Sequence, residues 1–219
     1  VQGAKAVRET LASDYTVRLL CGTDAFLHAT DNTSRAREVC ETSEKELTAL
    51  GSVETNASAL AVVEMKPTRK PLLVPDKFTL VLDDIRDPGN LGTIIRTADW
   101  FGIKTILASP ETTDLFSPKV INATMGSFLR VDVHYVALEE ILSAAGLRIF
   151  GTFLDGDDVH TINFGKGGFV VIGNESRGIS AGVEKLVSAR ITIPRLGLAE
   201  SLNASVATAI VLDNIFRRS

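Results

Sequence analysis

Three stretches of this 219-residue chain concentrate Asn, Glu, Ser, Arg and Gly, residue types suited to holding and orienting a polar substrate. The first is Asp87-Pro88-Gly89-Asn90-Leu91-Gly92-Thr93-Ile94-Ile95-Arg96-Thr97-Ala98. Asp-Pro-Gly is strong turn chemistry, and Asn90 reads as the N-cap of a helix with Leu91, Ile94, Ile95 and Ala98 on its apolar face. Arg96 lies off that face; an exposed pair with Asp99, worth about 0.2–0.5 kcal/mol, would account for it without any chemistry. The second stretch, Val171–Gly178, runs an apolar strand into Gly-Asn-Glu-Ser-Arg-Gly. Glycines there allow close backbone approach to a ligand, and amides at a helix start bind anions. It lacks the Lys-Ser/Thr of a P-loop and is not Gly-x-Ser-x-Gly, so an ordinary strand-to-helix turn is the alternative. In the third, Ile191–Ala207, a strand ends at Pro194 and a polar cluster Glu200–Asn203 opens a helix of small residues, Ala204, Ala207 and Ala209. Capping by Ser201 or Asn203 would explain the cluster alone, and the small residues admit another backbone or a second subunit. Three such loops at successive strand ends are harder to dismiss than one.

The elements that must position these loops alternate. From Phe78 onward, strands are expected at 78–82, 104–108, 131–136, 148–154, 169–172 and 190–193. Helices are expected at 90–101, 117–125, 138–145, 179–186 and 203–216. Such alternation predicts an α/β fold with a parallel sheet covered on both faces. Ligands then sit beyond the carboxyl ends of the strands, at the loops after Leu82, Leu154, Ile172 and Ile193. The first 65 residues mix helix (5–11, 43–50) and strand (16–21, 59–63), with Ser43 and Glu46 spaced as a capping box. Met65–Pro71 carries two prolines and three basic residues and reads as a linker. The expected units are residues 1–66, a linker over 67–77, and residues 78–219.

Composition bounds the rest. Hydrophobic residues make up 45% of the chain, enough for a sizeable core. The net charge is −4; residues 1–75 carry 9 Lys/Arg against 10 Asp/Glu, and residues 76–219 carry 14 against 17, so charge identifies no partner. Cys21 and Cys40, without metal-like spacing, are expected as free thiols in a reducing compartment. No apolar run approaches the roughly 18 residues of a membrane span, and the first residues do not form a signal peptide, so a cytoplasmic protein is expected. Asp155, Asp157, Asp158 and His160 read as a solvated acidic turn, with no metal expected; His28 and His134 are isolated. Trp100 and Phe101 are expected in the core.

Together these segments resemble the SpoU (TrmH-type) branch of the SPOUT RNA methyltransferases. The first family motif is matched by Asn90, Gly92, Arg96 and Ala98, and its Gly-x-Glu-x-x-Gly turn by Gly173, Glu175 and Gly178. The third, Ile-Pro then Glu-Ser-Leu-Asn-x-Ser-x-Ala, is matched by Ile193-Pro194 and Glu200–Ala207. Residues 1–65 look like the ribosomal-protein-L30e-like substrate domain that often precedes it, with Ala4 where the family usually has Glu. The resemblance implies a C-terminal trefoil knot, which ordinary topology rules would reject. It further implies a homodimer, S-adenosylmethionine as cofactor and RNA as partner, either rRNA or tRNA, with rRNA ahead. Carried over residue by residue, backbone groups of Gly173, Ile193 and Leu202 hold the cofactor, with Thr152 a further contact. Arg96 is the catalytic arginine, supported by Asn90, Glu175, Ser201 and Asn203.

A ribose hydroxyl is a poor nucleophile that must attack the sulfonium methyl in line, and positioning supplies on the order of 7–11 kcal/mol in favourable cases. Guanidinium stays protonated, so Arg96 is expected to bind the neighbouring phosphate and stabilise the developing alkoxide rather than to accept a proton. Two rival readings are a catalytically inactive RNA-binding relative and a dinucleotide-dependent oxidoreductase. The second needs a Gly-x-Gly-x-x-Gly turn that Asp-Pro-Gly-Asn-Leu-Gly does not supply.

Overall fold

The computed structural model describes residues 1–51, 56, 58–67 and 69–217. Residues 52–55 and 57 of the expected first unit, Thr68 of the linker and the last two residues of the second unit lie outside the described residues.

The first segment contains α1 (Ala4–Ala12), β1 (Val17–Gly22), α2 (Asp24–His28), β2 (Glu38–Glu41), α3 (Glu44–Leu50) and β3 (Ala59–Val63). The capping box forms at α3: Ser43 Oγ accepts from the Glu46 amide, and the Glu46 carboxylate accepts from the Ser43 amide at 2.9 Å. The sheet order is β2-β1-β3, with β2 parallel and β3 antiparallel to β1. Val7, Leu11, Leu20, Ala59 and Ala61 form its buried centre. Residues 64–67 and 69–77 then run without helix or strand.

The second segment is built from β4 (Phe78–Asp83), α4 (Pro88–Trp100), β5 (Thr105–Ala108), α5 (Pro118–Ala123), β6 (Asp132–Tyr135) and α6 (Leu138–Ala145). It continues through β7 (Ile149–Asp158), β8 (Gly168–Gly173), α7 (Ala181–Glu184), β9 (Ala189–Thr192) and α8 (Ala204–Phe216). Its six strands are all parallel, in the order β6-β5-β4-β8-β7-β9. Strand side chains alternate between two buried faces. Leu80, Leu82, Val170 and Ile172 pack with α4, α5 and α8, whereas Val81, Phe169 and Val171 pack with α6 and α7. A strand buried on both sides shows apolar residues at every position, as β4 and β8 do. The chain leaves β4 toward β5 on one side and leaves the neighbouring β8 toward β9 on the other. That divergence opens a crevice at the carboxyl ends of the strands.

Three expectations need correction. The 148–154 strand continues to Asp158, because residues 153–156 loop out and β7 pairs with Ile191 a second time, through Asp157 after Thr152. The helix expected over 179–186 is a single turn, Ala181–Glu184. Trp100 is not in the core but 86% exposed, since helical phase puts it with Thr93 and Arg96 on the outer stripe of α4. Phe101 does pack, stacking on Phe216 of α8 with ring centroids 5.5 Å apart. Among the described residues no helix is long and apolar enough to cross a membrane.

α4 and α5 meet at Gly92, where an added Cβ would lie 2.4 Å from Ala123 Cβ and 3.0 Å from the Val120 carbonyl oxygen. Helix propensity alone favours Gly92→Ala by about 1 kcal/mol, whereas overpacking costs about 1–3 kcal/mol. Urea unfolding of Gly92→Ala is expected to show a lower midpoint; an equal or higher one would mean that the helices separate freely there.

Candidate functional site

The β4–α4 turn is held by Asp87, whose Oδ1 accepts from the Asn90 amide at 2.7 Å, with Pro88 in the first turn of the helix. Asp87, not Asn90, is therefore the N-cap, and the Asn90 side chain is left available to bond elsewhere. The β8–α7 turn is fastened to the end of β4 by two carboxyl residues that the motif reading passed over. Buried Asp83 accepts the Ser180 amide at 2.7 Å, and the Asp84 carbonyl accepts Asn174 Nδ2 at 2.8 Å. Their only sequence signal was an Asp-Asp pair closing an apolar strand. Asn174 Oδ1 in turn accepts the Ser176 and Arg177 amides at 2.9 and 3.1 Å, while Asn174 and Gly178 exchange backbone bonds. Gly173 is required by this closure: a Cβ there would stand 2.4 Å from the Gly178 carbonyl carbon. Its missing side chain makes room for the loop itself rather than for a ligand.

Three of the expected residues form one hydrogen-bonded chain. Asn203 caps α8, its Oδ1 accepting from the Ser205 and Val206 amides at 3.0 and 3.3 Å. That orientation turns Nδ2 toward Asn90 Oδ1, 2.8 Å away. Asn90 Nδ2 must then face the other way, where it donates to Glu175 Oε1 at 2.5 Å. The loops after β4, β8 and β9, distant in sequence, are thus joined by side chains of one donor–acceptor polarity.

Beside this chain lies a cavity of about 640 Å³ at the carboxyl ends of β7, β8 and β9. Thr152, Gly173, Glu175, Ile193, Ser201 and Leu202 all line it. Its volume falls in the roughly 300–1,000 Å³ range of small-molecule sites, and its walls combine apolar side chains with the backbone of tight loops. Thr152 donates its hydroxyl to the Val171 carbonyl at 3.0 Å, so it serves as wall. Asn90 and Asn203 stand behind the lining, and Arg96 is not part of it. The Arg96 side chain is exposed on α4 with no ion pair among the described residues; Asp99 pairs instead with Arg130 at 2.8 Å. A larger cavity, about 1180 Å³, lies at the opposite end of the sheet around Phe78 and Phe216, away from every expected site residue.

At the cavity rim, Arg190 bridges Asp155 (2.7 Å) and Glu184 (2.6 Å) and lies over the Phe153 ring. The guanidinium holds the Asp155 carboxyl below the usual carboxylate range. Among the described residues no cluster of acidic, His or Cys side chains is arranged to hold a metal ion.

Comparison with known proteins places this geometry in context. A family model described as the SpoU rRNA Methylase family matches residues 77–213. The 23S rRNA (guanosine(2553)-2′-O)-methyltransferase RlmP of Bacillus subtilis is 32% identical over 177 residues, spanning 79% of this chain and 70% of that protein. A solved putative RNA methyltransferase of the TrmH family from Porphyromonas gingivalis superposes with a TM-score of 0.89 at 38% identity. The match covers 100% of this chain and 89% of that one. An AdoMet-bound rRNA methyltransferase from Sinorhizobium meliloti gives a TM-score of 0.88 at 32% identity, covering 100% and 86%.

The two tasks of Asn203 can be separated. Asn203→Asp keeps a capping oxygen but has no amide to offer Asn90, whereas Asn203→Ala loses both. Chemical denaturation is expected to find Ala about 1 kcal/mol less stable than the wild type and Asp between the two, since its carboxylate still caps α8 but meets Asn90 Oδ1 without a donor. Equal losses would show that the link to Asn90, not the cap, carries the energy.

Proposed function

The chain belongs to the SpoU rRNA methylase family, and from that premise we propose that it transfers a methyl group from S-adenosylmethionine to a ribose 2′-hydroxyl of ribosomal RNA. The observation that carries this reading is the cavity walled by the Gly173–Gly178 turn and the Ile193–Leu202 loop, two of the three segments that carry the motifs. Its size and its mixture of apolar side chains with backbone polar groups suit a cofactor with an adenine ring and a charged amino-acid tail. Gly173, Ile193 and Leu202 would hold it through their backbone groups, with Thr152 in the wall.

S-adenosylmethionine supplies an electrophilic methyl on a sulfonium sulfur. The chain's own residues must bring the ribose oxygen in line with it and tolerate the negative charge that grows there, while the hydroxyl proton passes to solvent and S-adenosylhomocysteine leaves. We assign Arg96 to the phosphate beside the target ribose, where its permanent charge also stabilises the alkoxide. Glu175, Asn90 and Asn203 hold the surrounding loops in register through their hydrogen-bonded chain, and Ser201 lies at the mouth of the cavity.

The further parts of the reading are proposals as well. Residues 1–66 serve as an L30e-like RNA-binding unit, joined through 67–77 to a methyltransferase unit over 78–219 whose C-terminal segment is knotted. Two copies associate over the loop Pro194–Leu202, where Leu196 and Leu198 are 101% and 100% exposed in a single copy. Burial of such bare side chains is a strong reason to pair. Arg96, outside its own copy's cavity, would then be available to the partner's. The free thiols of Cys21 and Cys40 fit a reducing cytoplasm.

Calorimetric titration of S-adenosylhomocysteine is expected to show saturable binding that Leu202→Trp abolishes. Absence of binding by the folded wild-type protein would overturn the cofactor assignment and favour a non-catalytic RNA-binding relative. Arg96→Ala is expected to keep that affinity within about twofold while methyl transfer to ribosomal RNA from a strain lacking the gene falls roughly 10²–10³-fold. If Arg96→Lys retained most of the rate, a specific guanidinium role would be wrong.

A further inference from the structure

The first segment is linked to α4 close to Arg96 through one side chain that belongs to neither. Arg130 donates from Nε to Asp99 Oδ2 at 2.8 Å and from Nη1 to Glu9 Oε2 at 3.1 Å. Asp99 is on α4, three residues after Arg96, and Glu9 is on α1. Arg130 reaches both because the preceding turn is forced into shape: Met125 and Gly126 take φ of 51° and 93°, in the left-handed region. A Cβ on Gly126 would lie 2.4 Å from Glu9 Oε2, so the glycine leaves room for the Glu9 carboxylate in this position. Tyr15 meets Phe128 edge-on beside this contact, with centroids 5.9 Å apart. Burial draws the Arg130 guanidinium down, and the bonds to Asp99 and Glu9 outweigh it, so the group stays firmly charged.

We propose that Arg130 is a positioning residue, whose guanidinium, forked between Glu9 of α1 and Asp99 of α4, sets where the first unit stands relative to the helix carrying Arg96. The role rests on the reading of residues 1–66 as RNA-binding. A single exposed ion pair would contribute little. Here the fork, the glycine approach and the aromatic contact fall on one spot, and α4 is stiff over the single turn from Asp99 back to Arg96. RNA held by the first unit is thereby presented to Arg96 at a fixed offset, and a wandering offset forfeits the affinity gained by holding one RNA at two places at once. Arginine suits the task because its planar fork offers two donors in separate directions, which the point charge of lysine does not.

The test uses the full chain as Arg130→Gln and Arg130→Lys. Methyl transfer is measured on ribosomal RNA from a strain lacking the gene, intact and cut into short fragments that retain the target nucleotide. Arg130→Gln is expected to raise KM for intact RNA about tenfold with kcat little changed. KM for the fragments and affinity for S-adenosylhomocysteine should stay as in the wild type, and Arg130→Lys should recover part of the loss. An equal rise for intact RNA and fragments, a parallel loss of cofactor affinity, or no change at all would overturn the proposal. Hydrogen exchange provides a readout independent of RNA: residues 4–12 and 126–130 should exchange faster in Arg130→Gln, while the central strands do not. If the wild-type protein methylates neither RNA, the functional reading fails; unchanged exchange in Arg130→Gln would overturn the junction in any case.

Discussion

The carboxyl edge of the large sheet depends on the side-chain amide of Asn203, which must accept and donate at the same time. Its oxygen closes the first turn of α8, and its nitrogen reaches Asn90 at the start of α4. Aspartate would do only the first, and serine is too short to do both. Because the cap dictates which end of the amide faces Asn90, it also dictates which end of Asn90 faces Glu175. A requirement of helix capping is thus transmitted across three loops to a carboxylate at the cavity wall. It fixes α8 beside α4 at the top, as the Phe101–Phe216 stack does at the bottom.

The cavity has two kinds of wall as a result. The Gly173–Gly178 turn is closed on itself through Asn174 and anchored to β4 through Asp83 and Asp84, so its shape is set before any ligand arrives. The segment Pro194–Leu202 is exposed along its whole length, and among the described residues Arg195 bonds only to the Ala199 carbonyl within it at 3.2 Å. One wall is preformed by internal bonds; the other acquires its contacts from whatever it meets. A partner copy and a bound cofactor would both act on that second wall.

What the sequence disclosed follows from how each signal arises. The doubly buried strands and the 138–145 helix were legible because burial and period are written directly in the order of apolar residues. β2 was invisible because all four of its residues are exposed and an edge strand with no buried face has no alternation. The loop-out in β7 left no trace, since bulged residues are chosen by their neighbours across the sheet. Trp100 was misplaced by weighing residue type above helical phase. For Asn90 the local explanation, capping, fails because that task already belongs to Asp87. The actual partners of Asn90 are 85 and 113 residues away, beyond the reach of any local rule. The motifs found the cavity-lining positions because those are consecutive in sequence; they could not find Asp83, whose role exists only once β4 and β8 are adjacent.

An acidic chain that works on RNA presents a puzzle only if net charge is the relevant quantity. Five of its carboxylates around these turns are committed to arginines: Asp84 to Arg86 and Arg177, Asp155 and Glu184 to Arg190, and Asp99 and Glu9 to Arg130. These pairs hold turns and units in place and contribute little field at a distance. Arg96 has no ion pair among the described residues and stands on an exposed helix face. A polyanion responds to such local, uncompensated cations rather than to the sum over the molecule. A net charge of −4 therefore says little about what a single phosphate meets at one place on the surface. In the proposed function, phosphate recognition falls to the guanidiniums that the bracing leaves uncommitted: Arg96 on α4 and Arg195 in the loop that lines the cavity, neither with an ion pair among the described residues.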